Sequence, residues 1–140
     1  MNNPQEIAER YAALWNEPDP SRRRESVRAL WTPNGAQVLV DPPWEARAAA
    51  DQLRFRKPSF EVHGYEALED RVTRAYEMFI APGEFVFRSR EGSVALIPGV
   101  VAVNWEMVST KGGAHTGGGV DVLDLDDDGR IVTDYQFVER

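Results

Sequence analysis

Apolar residues recur at helical spacing in two early segments and once midway, and the second half of the chain alternates with a period of two. Asn3, Pro4 and Glu6 supply the N-cap, N1 and N3 signals of a first helix whose apolar stripe is Ile7, Tyr11, Leu14 and Trp15. Asp19 and Pro20 repeat the cap-then-proline signal for a second helix reaching Trp31, with Val27, Leu30 and Trp31 on its buried face. Thr32, Pro33, Asn34 and Gly35 then break the chain. Ala36 to Asp41 is rich in apolar and β-branched residues and predicts a strand that Pro42 and Pro43 terminate. Gly64 to Phe79 predicts a third helix, with Leu68, Val72, Ala75, Tyr76 and Phe79 on one side, before Pro82 and Gly83.

The remainder reads as β: Phe85 to Arg90, Val94 to Ile97 running on to Ser109 past Pro98-Gly99, Gly119 to Leu125, and Ile131 to Glu139. Asp126 to Gly129 forms the last hairpin turn, and Lys111 to Gly118 a looser one. Between Trp44 and Val62 no clean period emerges, so Ala46 to Leu53 is either a short helix or part of a lid carrying Trp44, Leu53, Phe55 and Phe60. Helices first and an antiparallel meander after them predict an α+β chain. With 140 residues and 42% hydrophobic content, one domain over 1–140 is the expectation.

Charge and cysteine usage narrow the classes. A net charge of −7 disfavours a nucleic-acid partner, because phosphate binding needs clustered Lys and Arg. Arg22, Arg23 and Arg24 lie close to Glu17, Asp19 and Glu25 and predict a solvated helix face. The absence of cysteine suits a reducing compartment, and the longest apolar run, Val94 to Val103, is broken by Pro98 and Gly99. A cytoplasmic protein with no membrane partner is expected.

Some motifs lose their function on inspection. Asp124, Asp126, Asp128 and Gly129 open like a calcium loop, but Tyr135 stands where the bidentate Glu is needed and the flanks read as strands. The glycines at 112, 113, 117, 118 and 119 precede no helix, and no Lys-Ser or Lys-Thr follows. His63 and His115 are solitary. Neither a metal nor a cofactor is expected.

Strand parity singles out Asp121. It shares a face with Leu123 and Leu125, just as Trp105 shares one with Val101, Val103 and Met107, and Tyr135 with Ile131 and Phe137. A carboxylate on an apolar face must find partners or hold its proton. The alternative is a solvated Asp121 at the start of its strand, beside the turn at Gly117 to Gly119.

Arg10-Tyr11-Ala12-Ala13-Leu14, Val40-Asp41-Pro42 and Val120-Asp121 resemble the three places where ketosteroid isomerases carry their active site. Tyr11 to Asn16, Leu30-Trp31-x-Pro-x-Gly-Ala, Trp105 and Asp126-x-Asp128-Gly129-Arg130-Ile131 resemble the SnoaL-like polyketide cyclase branch of the same NTF2-like superfamily. The resemblance implies an NTF2-like (cystatin-like) cone, in which three helices from the N-terminal half pack on a curved, mostly antiparallel sheet around an apolar pocket. It also implies a homodimer. Carried over by position, it makes Asp41 the general base, with Tyr11 and a protonated Asp121 as hydrogen-bond donors to an enolate oxygen.

Two functions follow as expectations. One is a cofactor-independent acid/base enzyme, an isomerase or an aldol-type cyclase, on a small, largely apolar or aromatic carbonyl compound. Asp41, Tyr11 and Asp121 would be catalytic, and Trp31, Trp105, Tyr135, Arg71, Leu123 and Phe137 would form the pocket. Arg71 could also pair with Asp41 or Asp121. The other is a non-catalytic small-molecule-binding or dimerisation domain that uses the same pocket or the outer sheet face, where Val120, Val122, Val132 and Val138 would lie.

Overall fold

Both early helices begin where a side chain can satisfy a free backbone N–H. Helix α1 (Pro4–Asn16) starts after Asn3, whose side chain accepts from the Gln5 amide at 2.9 Å, and α2 (Pro20–Leu30) starts after Asp19, which accepts from Ser21 at 2.9 Å. Each such cap is worth about 1 kcal/mol. The computed structural model describes residues 3–40 and 60–139. Asp41 and the segment 42–59, with the lid candidates Trp44, Leu53 and Phe55, lie outside the described residues; Phe60 opens a strand.

That strand, β2 (Phe60–His63), follows β1 (Trp31–Val40) and leads into α3 (Gly64–Ala75), which ends in a π-helical turn over Tyr76–Ile80. Strands β3 (Phe85–Ser89), β4 (Val94–Ile97), β5 (Val100–Ser109), β6 (His115–Leu125) and β7 (Ile131–Val138) complete the described elements. They make one seven-stranded sheet in the order β2-β1-β7-β6-β5-β3, with β4 also paired to β5. All pairings are antiparallel except β1 with β7. With helices α1, α2 and α3 beside it, the chain is α+β. No helix among the described residues is long and apolar enough to cross a membrane.

Several boundaries differ from expectation for identifiable reasons. Thr32 to Gly35 does not end the element after α2. It bulges within β1, where Trp31 pairs with Ile131 and Ala36 already with Thr133. Gly35 permits the bulge: a Cβ there would lie 2.8 Å from the Trp31 ring and 3.0 Å from the Ile131 carbonyl oxygen. Pro98-Gly99 likewise turns a tight β4–β5 hairpin, and does not interrupt one long strand. Strand β6 begins at His115, so Gly117, Gly118 and Gly119 belong to it and not to a loose turn. Arg23 is also interior, not part of a solvated face. It donates to the carbonyls of Glu17 and Pro18 at 2.7 and 3.1 Å and stacks over Tyr76.

The core lies between the helices and one face of the sheet. Ile7, Leu14 and Trp15 of α1, Val27 and Leu30 of α2, and Leu68 and Val72 of α3 meet Trp31, Val101, Val103, Leu123 and Ile131. Registers across the sheet set the inward residues in rows. Gln37, Asp134, Leu123 and Val101 form one; Leu39, Gln136, Asp121 and Val103 the next; Val138, Gly119 and Trp105 a third.

Candidate active site

The second row carries Asp121 into the interior, where it is completely buried. Its strand starts six residues earlier, at His115, so the solvated alternative fails. Asp134 is equally buried and arrives through an irregularity. Asp124 pairs with Thr133 but Leu125 with Ile131, so β7 holds one extra residue. Beyond that bulge the parity of β7 inverts, bringing Asp134, Gln136 and Val138 inward. Tyr135 and Phe137, expected as pocket walls, turn to the outer face and are 42% and 45% exposed. Val138, expected outside, lines the cavity.

Tyr11 joins the carboxyls from α1. Its hydroxyl lies 2.7 Å from Asp121 Oδ2 and 2.6 Å from Asp134 Oδ2, and Gln37 Nε2 approaches it at 3.1 Å and Asp134 Oδ2 at 3.2 Å. One hydroxyl has one proton to give, so a second proton must sit on one of the acids. The hydrogen bonds identify which. Asp121 Oδ1 receives Trp105 Nε1–H at 2.7 Å and Gln136 Nε2 at 3.4 Å, whereas Asp134 Oδ1 is buried with no partner. The negative charge belongs on Asp121 and the proton on Asp134.

The electrostatics agree. Burial raises the pKa of Asp121, opposed by hydrogen bonds that include those from Tyr11 and Trp105. Burial, reinforced by the charge of Asp121, lifts Asp134 well above the ordinary aspartate range. Burial, followed by the two carboxyls, pushes the Tyr11 phenol well above its usual value. The hydrogen bonds favour Asp134 as the neutral acid of the cluster, and Asp121, to which the resemblance assigns that role, as the better hydrogen-bonded carboxyl.

A cavity of about 500 Å³ lies against this cluster. Tyr11, Trp105, Gln136 and Arg71 contribute its polar wall, and residues such as Val62, Phe79, Phe87 and Met107 its apolar one. Asp121 and Asp134 stand one layer behind. Trp31 and Leu123, expected in the pocket, are fully buried in the core beneath it and do not line it. Trp105 owes its position to Gly119: a Cβ there would stand 2.7 Å from the indole and would also strike the Phe137 carbonyl oxygen. Arg71 reaches Gln136 Oε1 at 3.4 Å and lies over the Trp15 ring at 5.2 Å. Among the described residues it forms no ion pair with Asp121, and its place relative to Asp41 lies outside them.

Sequence reasoning thus brings together Tyr11, Asp121, Trp105 and Arg71, and misses Asp134, Gln136 and Gln37. An aspartate in mid-strand was the available signal for Asp134, since strands are depleted in aspartate. The Asp124–Gly129 region is a turn, with the Asp126 carboxylate accepting from the amides of Asp128 and Arg130 at 2.9 Å each. Among the described residues no group of His, Asp and Glu converges to hold a metal.

No family model matches the chain, and no curated protein matches it in sequence. Solved structures do. A candidate isomerase of the SnoaL-like family from Agrobacterium tumefaciens is 24% identical, with both chains covered over 100% and a TM-score of 0.75. An NTF2-like protein of unknown function from Exiguobacterium sp. 255-15 is 16% identical, over 95% of this chain and 98% of that one, with a TM-score of 0.61. A candidate polyketide cyclase from Sinorhizobium meliloti is 14% identical, over 94% of each chain, with a TM-score of 0.58. The chain has the NTF2-like fold of the SnoaL-like proteins.

Proposed function

We propose that the chain is a cofactor-independent acid/base enzyme acting on a small, largely apolar carbonyl compound, by isomerisation or aldol-type cyclisation. The observation that carries the proposal is the buried trio Tyr11, Asp121 and Asp134, which holds two protons and one charge against the wall of an apolar cavity. Two proteins of similar structure, a candidate isomerase and a candidate polyketide cyclase, are consistent with it. Removing a proton beside a carbonyl moves charge onto the oxygen, and a preorganised donor in a site poor in water lowers that barrier. Tyr11 is the member of the trio at the cavity wall, so it would be the donor to the enolate oxygen, turning its one proton from Asp121 to the ligand while Asp134 donates to the phenol oxygen and Asp121 keeps Trp105 and Gln136. Asp121 and Asp134 act through it and are positioning residues. Asp41 is the proposed base.

The test is exchange of α-protons for deuterium in an apolar ketone, followed by NMR. Wild type should exchange faster than buffer, Asp41→Asn should abolish the gain, and Tyr11→Phe should cut it by roughly tenfold or more, the scale of a lost acid–base contact. No exchange above buffer by folded wild type would leave a binding domain as the better account. We also propose that two copies associate through the outer sheet face, where Val132, Tyr135 and Phe137 leave apolar surface in water.

A further inference from the structure

The wall of the cavity contains one cation, Arg71, whose charge burial disfavours and the trio behind the wall favours through space, but whose N–H groups the trio does not reach. Arg71 projects from α3 among Trp15, Ala75 and Phe79, and a guanidinium in such surroundings is costly unless its five N–H groups find acceptors. Among the described residues it finds one, Gln136 Oε1, at the long distance of 3.4 Å. The carboxylate behind the wall accepts no hydrogen bond from it. Asp121 is already served by Tyr11, Trp105 and Gln136, and Gln136 lies between it and Arg71. The face of the guanidinium is fixed over Trp15, 5.2 Å from the ring, which leaves its edge for an in-plane acceptor. Two oxygens in one plane match that edge in a way that a single carbonyl does not. Glu61, the other charged residue lining the cavity, is exposed, so its repulsion is screened by solvent.

We infer that the cavity takes an apolar carboxylate, with the acid group on Arg71 and a ring-sized hydrocarbon body against Phe79, Phe87 and Met107. In the proposed function, on whose cavity this rests, the preferred substrate is therefore a keto acid. A charge-assisted contact is worth enough to separate an acid from its ester by about tenfold or more.

Binding of 2-naphthoate and of its methyl ester at pH 7.5, followed by isothermal titration and by tryptophan fluorescence from Trp15 and Trp105, tests the inference without requiring turnover. The acid should bind at least about tenfold more tightly than the ester. Arg71→Met should abolish the difference in affinity between acid and ester, and Arg71→Lys should keep part of it. Equal binding of acid and ester by wild type, no binding of the acid, or an acid preference that survives in Arg71→Met would overturn it. Should Arg71→Met fail to fold, the wild-type comparison and Arg71→Lys decide. An acid preference without α-proton exchange on any carbonyl compound keeps the ligand class and removes the enzyme; exchange on neutral ketones without an acid preference does the reverse.

Discussion

Asp134→Asn should flatten the dependence of stability on pH between about pH 5 and pH 7, the interval above the ordinary aspartate value. Asp134 is buried with one oxygen unpartnered, and its pKa is raised well above the ordinary value by burial and by Asp121. Unfolded, the same side chain titrates near 3.9, so between that value and the raised one the folded chain holds a proton the unfolded chain has released. Folding then takes up a proton, and stability falls as pH rises. The contribution is fully present below the unfolded pKa and is lost as pH climbs toward the folded one. One proton corresponds to a slope of at most about 1.4 kcal/mol per pH unit, which is the ceiling on the difference in slope between the two proteins. Asparagine has no proton to lose and should lack that slope. Glu106 and Glu139, held low chiefly by hydrogen bonds from Arg88 and Arg90 respectively, contribute with the opposite sign at lower pH. They are common to both proteins and cancel in the difference, whereas Asp121, itself raised by burial, keeps a slope of its own in the variant. Urea unfolding at pH 5, 6 and 7, with the free energy extrapolated at each, measures it. Parallel curves for wild type and Asp134→Asn would show that Asp134 does not hold the proton.

Gly119→Ala should destabilise the fold by about 1–3 kcal/mol, the usual cost of overpacking, because the new methyl meets the Trp105 ring and the Phe137 carbonyl; a thermal midpoint unchanged from wild type would contradict the packing described. Phe137→Glu should leave the cavity intact and yield a species of 15.8 kDa in sedimentation, where wild type sediments at about twice that mass. A wild type that sediments as the monomer would remove the proposed association.

Helix starts were legible because caps and proline are local chemistry: Asn3-Pro4 and Asp19-Pro20 state their own geometry. Asp121 was legible because alternation in β6 runs unbroken from Gly119 to Leu123, so parity alone sends it inward. Tyr135 and Phe137 were misplaced by the same rule, since Ile131, Tyr135 and Phe137 form a plausible apolar face and nothing local announces an extra residue between them. That bulge depends on pairing with β6, a contact between positions that no short window contains. Gly117 to Gly119 suffered similarly: glycines suggest a turn until the Trp105 ring that needs the space is known. Arg23 was read as solvated because its partners are backbone carbonyls, which leave no mark on composition.

One extra residue in β7 decides what kind of interior this sheet has. With unbroken alternation from Ile131, Thr133, Tyr135 and Phe137 would face inward and Asp134 and Gln136 would meet water. Asp121 would then lack Gln136, Tyr11 would lack a second acid, and an aromatic core would fill the space now left as a cavity. The bulge trades that packing for a pair of carboxyls that must share a proton, an arrangement costly enough that it needs the support of Tyr11, Trp105, Gln37 and Gln136 together. The two aromatic rings displaced to the outer face are the same ones that leave apolar surface exposed there. Inner acid pair and outer apolar patch are therefore two results of one register shift, and a change that removed the shift would abolish both at once.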